Sequence, residues 1–317
     1  MAKLSRPRWG SLQFWPRKRA AKLLPSANWK TFSSLSFASD GLLGYIGYKA
    51  GMASAVVKDD SQNSMTKGKK ITVPVTIVEM PPMKVYSVRF YKLGIVQKEI
   101  VVSNDPALKP ILRVPKQPQT LDKLPEGYDD IRVVVFSVPS KTSVKKTPDV
   151  LELAVTAKDK LAYIKSLIAK ELSYKDLPQK LDLIDARGVT KGRGLIGPLA
   201  RFGLTLKQHK SEKGRRRPGS LAPWHPARVT FRTPMAGQMG LFSRIQYNLK
   251  LLATNSIADK NINPGTGFQH YGNIQSNYMI VLGSLAGPVK RAVLLTPAFR
   301  PSKNMTRKKY ELVEVLK

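Results

Sequence analysis

The fold class is decided by a segment that reads Ile71-Thr72-Val73-Pro74-Val75-Thr76-Ile77-Val78-Glu79, then Met80-Pro81-Pro82, then Met83-Lys84-Val85-Tyr86-Ser87-Val88-Arg89-Phe90-Tyr91. Both long runs are rich in β-branched and aromatic residues, which favour strands. The Pro81-Pro82 pair interrupts the pattern, because proline cannot donate a backbone hydrogen bond. We therefore predict two β-strands, 71–79 and 83–91, separated by the two prolines.

The same kind of pattern recurs on both sides of this segment. Leu43–Val57 is another strand-like run, with glycines that mark bends or bulges at Gly44, Gly47 and Gly51. Ile131–Val138 predicts a buried strand, and an apolar stripe between lysines then predicts a helix (Leu161, Ile164, Ile168 and Leu172). Strands return at Ala227–Arg232, Tyr278–Leu282 and Ala292–Leu295. The sequence predicts a mostly β protein, with a β-barrel-like domain interrupted by an α/β insertion.

The composition points to a polyanionic partner. The 317 residues carry a formal net charge of +33, from 54 Lys and Arg against 21 Asp and Glu. Such self-repulsion is tolerable beside a polyanion, and nucleic acid is the commonest one inside cells. The absence of cysteine excludes disulfides and thiolate sites. Because the sequence has neither a membrane-spanning apolar run nor a signal-peptide pattern in residues 1–30, we expect a soluble intracellular protein.

The charge is unevenly distributed along the chain. Met1–Ser39 holds eight basic residues, no acidic residue and three tryptophans, Trp9, Trp15 and Trp29. This composition favours an arm that neutralises phosphates and stacks on bases, with a disordered basic tail as the alternative. Val101–Ala186 has 14 basic and 12 acidic residues. We expect this near-neutral block to face solvent or protein, and the basic flanks to face nucleic acid.

Signals for catalysis or cofactor binding are weak. Gly192–Gly197 matches the dinucleotide fingerprint, but Pro198 follows at once and arginines occupy the position of the ribose-binding acid. The histidines are far apart in the sequence, at His209, His225 and His270. The basic flanks hold few carboxylates for a catalytic metal cluster. We therefore expect no catalytic residue, no cofactor, no metal and no small-molecule substrate.

Arg187–Arg232 is the densest basic segment. It contains twelve basic residues against one acidic residue, Glu212, and seven glycines prevent a single regular element. A loop of this length and charge becomes stable when it threads into folded RNA. Pro223 and Pro226 flank Trp224, which predicts a stiff aromatic tip that stacks on a base. The alternative is that Trp224 is a core residue.

These motifs resemble the ribosomal protein L3 family of the large subunit, in its archaeal and eukaryotic branch. The resemblance follows family order along most of the chain, at Gly47–Met52, Val73–Glu79, Pro81–Met83, Gly188–Gly194, Arg215–Leu221, Pro223–Val229, Ala236–Gly240 and Gly287–Arg291. It implies a six-stranded Greek-key β-barrel of the translation-protein type with an inserted α/β domain. The corresponding ranges are a basic N-terminal extension at 1–40, barrel parts at 41–95 and 187–317, the insertion at 96–186, and a long loop at about 200–245.

The resemblance also implies a function and a set of binding residues. Members of the family are structural proteins of the cytoplasmic large subunit that bind 23S-type rRNA near its 3′ region early in assembly, beside other large-subunit proteins. Their extension and loop reach toward the peptidyl transferase centre and the aminoacyl-tRNA side. The expected rRNA-binding residues are Lys191, Arg193, Arg201, Lys207, Lys210, Arg215, Arg216, Arg217, Trp224, His225, Arg228, Arg232 and Gln238 in the loop, and Arg6, Arg8, Trp9, Trp15, Arg17, Lys18 and Arg19 in the arm.

Two modification sites of the family are treated differently. Gln238 matches the glutamine that bacterial members methylate. Eukaryotic relatives carry a modified histidine where this chain has Glu212, so that modification is not transferred to the nearby His209.

Two other function classes compete with this interpretation. An RNA-processing enzyme would need a cluster of acid, base or metal-binding residues, which the sequence does not suggest. A protein bound to an anionic membrane would need a basic amphipathic helix, whereas the predicted helix lies in the near-neutral block. We therefore expect no membrane partner.

Overall fold

The computed structural model describes residues 15–32, 40–121, 124–168, 170–177 and 182–316. Its strands are β1 (Gly41–Leu42), β2 (Tyr45–Asp59), β3 (Lys70–Met80), β4 (Met83–Lys92), β5 (Ile95–Val101), β6 (Asp130–Ser137), β7 (Val150–Thr156), β8 (Leu183–Val189), β9 (Gly192–Ile196), β10 (Gly237–Gly240), β11 (Ser243–Ser256), β12 (Asn277–Leu282), β13 (Ala292–Pro297) and β14 (Tyr310–Leu316). Its α-helices are α1 (Lys160–Ile168), α2 (Pro198–Phe202) and α3 (Lys303–Arg307). The prediction of a mostly β protein is confirmed.

These elements form two compact units. The larger one, here called the sheet unit, comprises residues 22–189 and 244–317. The smaller one, here called the loop unit, comprises residues 1–21 and 190–243. The loop unit therefore combines the N-terminal segment with the part of the chain that connects β8 to β11.

The sheet unit is built on a seven-stranded sheet in the order β13-β8-β11-β12-β3-β2-β14. β2 has three partners in it. One edge of β2 pairs with β3, and the other edge pairs with β13 through residues 45–48 and with β14 through residues 54–59. Because β13 also pairs with β8, six of these strands are joined in a closed ring of pairings.

Two glycines determine how β2 lies against β3. The register between these strands shifts between Lys49 and Gly51, where the sequence predicted a glycine-dependent bend or bulge. Gly47 faces β3 so closely that an added methyl group would lie 2.5 Å from Val78 Cγ1. A carbon–carbon distance this short is not tolerated, so any side chain at position 47 would push β2 away from β3.

A second sheet has the strand order β1-β7-β6-β4-β5. It includes β4, which the sequence analysis assigned to the first part of the barrel, 41–95. A charged network lies across this sheet, where Arg89 and Arg132 each contact Glu152 at 3.0 Å. Tyr91 also donates to Glu152, at 2.8 Å. Ion pairs across this sheet therefore neutralise part of its acidic and basic side chains.

The sequence patterns locate most of the regular elements. β3, β4 and β6 coincide with predicted strands, and α1 contains the first three residues of the predicted helical stripe. The fourth, Leu172, lies beyond α1, where its backbone pairs with Met83. The strand predicted at 227–232 is wrong, because these residues form bends and turns and all are exposed. Among the described residues they have no partner strand, so a strand-like composition alone does not form a strand here.

Trp29 also differs from the expected base-stacking role. Its side chain is 3% exposed, and its ring lies 5.4 Å from that of Phe32. The indole Nε1 donates to the carbonyl oxygen of Glu152 at 3.0 Å. Trp29 is therefore a core residue of the sheet unit, and composition alone could not distinguish it from the other tryptophans of the N-terminal segment.

A buried carboxylate organises one edge of the core. Glu79 on β3 is fully buried and accepts hydrogen bonds from Gln275 N at 2.8 Å, Ser276 N at 2.9 Å and Ser276 Oγ at 3.0 Å. The hydroxyl of Tyr271 donates to the same carboxylate. Burial, followed by the nearby carboxylate, raises the pKa of Tyr271, so its hydroxyl stays protonated at neutral pH. These donors compensate for the desolvation of Glu79 and hold residues 271–276 against β3.

The substitution Gly47→Ala tests the close approach of β2 and β3. The added methyl group has no space, and overpacking of this kind costs about 1–3 kcal/mol. We expect the free energy of unfolding, measured by denaturant titration, to fall by that amount. Gly265→Ala is the matched control, because a methyl group there would have no heavy atom within 4 Å. Equal stability of the two variants would contradict the described packing.

Candidate nucleic-acid interface

The loop unit is supported by an antiparallel pair, β9 and β10. Their register pairs Gly237 with Ile196, Gln238 with Leu195, and Gly240 with Gly192. Gly240 has a φ of +76°, and an added methyl group would lie 2.0 Å from the carbonyl oxygen of Lys191. That carbonyl also accepts a hydrogen bond from Leu241 N at 3.2 Å. Only glycine fits at position 240, because any side chain would break this pairing.

The N-terminal segment joins the loop instead of forming a separate arm. Ala20 N donates to the carbonyl oxygen of Leu241 at 2.8 Å. The guanidinium carbon of Arg17 lies 4.4 Å from the centre of the Phe202 ring, which is a cation–π distance. The two basic segments that the sequence suggested independently therefore meet in one unit.

Arg201, on α2, connects distant parts of the loop. Its Nη1 donates to the carbonyl oxygen of Met235 at 2.8 Å, and its Nε donates to that of Gln238 at 3.1 Å. Gly203 directly follows the helix, and its φ of +68° is the left-handed conformation common after a helix. The guanidinium of Arg201 thus stabilises the loop from within, although the sequence suggested it for rRNA binding.

Hydrophobic burial contributes little to the loop unit. Among its described residues, 15–21 and 190–243, Gly240 alone is buried. Large apolar side chains such as Leu195 and Phe231 are exposed. Segments that cannot bury enough apolar surface to compensate for chain entropy depend on a partner for their ordered form. The loop unit has the properties of such a segment.

The same unit concentrates positive charge. Its described residues include 14 Lys and Arg but a single carboxylate, Glu212. Most of the cations predicted to bind rRNA are exposed: Lys18, Arg19, Lys191, Arg193, Lys207, Lys210, Arg215, Arg216, Arg217, Arg228 and Arg232. This density of exposed charge without internal counter-charges matches a phosphate backbone.

One stretch of these cations has a defined backbone. Lys207 N donates to the carbonyl oxygen of Arg215 at 3.2 Å, and Arg215 Nε donates to the carbonyl oxygen of Lys207 at 3.2 Å. This reciprocal pair closes residues 207–215 into a small loop. Arg216 and Arg217 follow directly, so they are presented from a closed and partly constrained structure.

Trp224 is a surface residue. Its side chain is 88% exposed, and the ring of His225 lies 6.2 Å away in an edge-on arrangement. The alternative that Trp224 belongs to a core is therefore wrong. An exposed indole next to an imidazole presents aromatic surface to a partner.

A cleft of about 430 Å³ lies within the loop unit, lined in part by Trp15, Arg17, Phe202, Phe231 and Gln238. The rings of Trp15 and Phe231 are 5.7 Å apart, and both side chains are more than half exposed. Aromatic faces beside guanidinium groups are the features that bind unstacked bases. Phe202 and Phe231 were not predicted as binding residues, although their position in a basic, glycine-rich segment was an available signal.

The structure brings some predicted residues together and leaves others apart. The cleft collects Trp15, Arg17, Arg201, Arg232 and Gln238. Gln238 is half-buried, and its side-chain amide donates to the carbonyl oxygen of Gly240 at 3.0 Å. The remaining described candidates lie outside the cleft lining, and Arg6, Arg8 and Trp9 fall outside the described residues.

The described residues lack the features of two alternative kinds of site. Across the part of the chain that the structure describes, no three His, Asp or Glu side chains are grouped so that they could hold a metal ion. In the same residues, no helix has the length and apolar character needed to cross a membrane.

The family model and the related proteins that match this chain all give the same family. The family model for Ribosomal protein L3 matches residues 1–99 and 116–316. A large ribosomal subunit protein uL3 from Archaeoglobus fulgidus is 40% identical to this chain, over 95% of the chain and 94% of that protein. Proteins of the same name are 35% identical in Methanocaldococcus jannaschii, over 96% of the chain and 94% of that protein, and 38% identical in Methanosphaera stadtmanae, over 96% of each. All three relatives are archaeal.

The substitution Gly240→Ala tests the support of the loop unit. A side chain at this positive φ, directly against the Lys191 carbonyl, should open the β9–β10 pair. We expect amide hydrogen exchange in residues 192–196 and 237–240 to accelerate by at least about tenfold, which corresponds to a loss of roughly 1.4 kcal/mol. Gly197→Ala is the control, because a methyl group there has open space. Unchanged exchange in the Gly240 variant would contradict the described pairing.

Proposed function

Because the chain belongs to the ribosomal protein L3 family, in its archaeal type, we propose that it is a structural constituent of the large ribosomal subunit that binds 23S-type rRNA through the loop unit. The family is structural and not enzymatic. In this assignment the protein resides in the cytoplasmic large subunit. Its partners are rRNA and neighbouring large-subunit proteins.

The observation that carries the proposal is the combination of charge and exposure in the loop unit. Fourteen cations accompany one carboxylate, and Gly240 alone is buried among the described residues of the unit. Neither feature favours a free, self-sufficient domain. Both are explained if phosphates neutralise the cations and RNA surrounds the exposed apolar and aromatic groups.

The arrangement of side chains supports a division of roles within the loop unit. Exposed cations such as Arg216 and Arg217 would contact phosphates, which positions the protein without reading sequence. The cleft with Trp15 and Phe231 would take unstacked bases. Arg201 would act indirectly, by holding the backbone that carries Gln238.

We further propose that the loop directs Trp224 toward the peptidyl transferase centre, where it would organise rRNA near the aminoacyl-tRNA site. This placement, together with early binding near the 3′ region of the rRNA, follows from the family resemblance of residues 215–229. The exposure of Trp224 supports it, because an indole that is 88% exposed has most of its surface available for RNA.

The sheet unit fits the role of a rigid support. Its closed ring of six strand pairings is what a six-stranded Greek-key barrel of the translation-protein type would require. The block at 96–186 would be the inserted α/β domain on the outer side of the subunit. Its paired charges favour contact with solvent or protein over contact with phosphate.

The triple substitution of Arg215, Arg216 and Arg217 to glutamine tests phosphate binding. Each lost phosphate contact should reduce the slope of log affinity against log salt by about 0.7–0.9. We expect weaker binding to transcribed large-subunit rRNA and a slope that is smaller by about 2–3. The slope is measured by filter binding over a series of salt concentrations.

A charge-matched control separates this effect from net charge. Substituting Lys109, Lys116 and Lys158 by glutamine removes the same three charges from exposed positions of the near-neutral block. This variant should keep the wild-type slope. If the two triple variants have the same slope, the arginines are not on phosphates.

The substitution Trp224→Ala tests the loop tip. Because the side chain is exposed, we expect the melting temperature of the free protein to stay nearly unchanged. Truncating a core tryptophan to alanine would instead lower the free energy of unfolding by about 3–5 kcal/mol. Ribosomes that carry the variant should assemble and bind aminoacyl-tRNA abnormally, since a stacked base contributes roughly 1–3 kcal/mol. Trp224→Tyr keeps an aromatic face and serves as the control. Normal tRNA binding by alanine-variant ribosomes would refute the proposed role of the tip.

A further inference from the structure

A cleft of about 680 Å³ lies in the sheet unit, and none of its lining residues was predicted to bind RNA. One wall is formed by residues 59–64, at the end of β2, and the other by residues 307–310, at the start of β14. The volume is within the usual range for small-ligand sites, roughly 300–1,000 Å³. It is therefore large enough to hold a nucleotide.

The first wall is shaped by a carboxylate that is already satisfied. Asp59 accepts hydrogen bonds from Ser61 N at 2.9 Å, Ser64 Oγ at 2.6 Å and Thr66 Oγ1 at 2.6 Å. These bonds hold the pKa of Asp59 well below its ordinary value, so the carboxylate is ionised. Because its hydrogen bonds fold the turn around it, Asp59 is a structural part of the wall.

The two walls are connected by backbone hydrogen bonds. Asp60 N donates to the carbonyl oxygen of Lys309 at 2.9 Å, and Lys309 N donates to Ser61 Oγ at 3.0 Å. Asp59 and Tyr310 are also paired in the β2–β14 register. The cleft is thus largely preformed, and a ligand would not have to order it.

One wall of the cleft is basic. Arg307, Lys308 and Lys309 line this wall and are exposed. The nearby carboxylates Asp60 and Glu311 lie 3.5 Å and 4.0 Å from Lys58 Nζ. Among the described residues, none of these three exposed cations is in an ion pair. They are therefore available to an anionic ligand.

Besides these cations and the carboxylates of Asp59 and Asp60, the cleft has neutral groups suited to a nucleobase. Gln62 and Asn63 present exposed side-chain amides on the first wall. The half-buried ring of Tyr310 lines the cleft from the second. Amides of this kind bind base edges, and aromatic rings stack on bases that are splayed out of a helix.

We propose that this cleft is an additional RNA-binding site, which takes a single-stranded nucleotide of a loop or bulge. The inference rests on the proposed assignment to rRNA and extends it to a surface of the sheet unit. Arg307, Lys308 and Lys309 contact the flanking phosphates, and Tyr310 stacks on the base. Gln62 and Asn63 bind its edge.

A single-stranded segment explains the cleft better than a duplex or an acidic protein does. A duplex offers a convex backbone and hides its base edges, so it would use the cations but leave the amides and Tyr310 without a role. An acidic protein segment would likewise need the cations alone. The concave shape and the mixture of amide, aromatic and basic groups match an exposed nucleotide.

The site is tested by chemical probing of 2′-hydroxyl reactivity on transcribed archaeal large-subunit rRNA bound to the full-length protein. The variant Arg307→Gln/Lys308→Gln/Lys309→Gln should lose protection at one discrete unpaired segment and reduce the salt slope by about 2. Gln62→Ala/Asn63→Ala should weaken protection of the same nucleotides with an unchanged salt slope. Tyr310→Leu should weaken it roughly 5- to 150-fold, the range for one lost stacked base, whereas Tyr310→Phe should retain it.

The controls separate this inference from the proposed function. The glutamine variant of Lys109, Lys116 and Lys158 should protect the same nucleotides as the wild type. Melting curves of each free variant confirm that the fold is kept, and the amide pair is exposed enough to be harmless to folding. Failure of the wild-type protein to bind the rRNA would overturn the proposed function itself.

Other outcomes overturn the cleft alone. One is wild-type protection in all three cleft variants, together with the expected loss in the Arg215, Arg216 and Arg217 variant. Another is loss of protection confined to duplex nucleotides. A third is wild-type rRNA protection by a variant that fails to retain a neighbouring ribosomal protein in reconstituted subunits, which would assign the cleft to a protein partner.

Discussion

The sheet unit depends on the ability of β2 to pair with three strands at once. Its fifteen residues share one edge with β3 and divide the other edge between β13 and β14. Where β2 packs most closely against a neighbouring strand, it has no room for a side chain. Gly47 meets this requirement opposite Val78. The first six residues of β2 are buried, as expected for a strand that is covered on both faces. The closed ring of strand pairings and the attachment of β14 to the sheet therefore both depend on β2.

Several buried polar groups inside the sheet unit have internal hydrogen-bond partners. Glu79 has its four donors, and the buried Lys49 donates from Nζ to the carbonyl oxygens of Leu285 at 2.7 Å and Gly287 at 3.3 Å. Arg187 is buried as well and donates to Thr296 Oγ1 at 2.6 Å. Burial lowers the pKa of Arg187 from its ordinary value, but a guanidinium stays charged at neutral pH. Glu79, Lys49 and Arg187 therefore each have hydrogen-bond partners within the sheet unit.

Sequence patterns are most informative where structure is local. The runs at β3, β4 and β6 predict strands because alternation and β-branching act within a few residues. The same patterns do not reveal which sheet a strand joins, since strand pairing is a long-range property; β4 is the example. They fail at 227–232, where composition favours a strand but the described part of the chain offers no partner strand.

The candidate interface shows the same limit. Clustered cations and the exposed Trp224 are evident from composition and from the flanking prolines. The cleft around Phe202 and Phe231 is not, because it forms only when the N-terminal segment meets the loop. Trp29 illustrates the opposite error, since its basic neighbours concealed a core residue. The family resemblance supplies part of the missing information, because it relies on the order of motifs along the whole chain and not on a local pattern.

The near absence of buried residues among the described residues of the loop unit has a consequence for protein supply in the cell. A ligand that binds only the folded form of a protein stabilises that form. The stabilisation grows with the ratio of the free-ligand concentration to the dissociation constant. For the loop unit, that ligand would be nascent rRNA. Copies made in excess of rRNA would keep this basic segment open to proteases, whereas bound copies would be protected. Degradation would then match the number of surviving copies to the number of rRNA molecules, without a dedicated sensor.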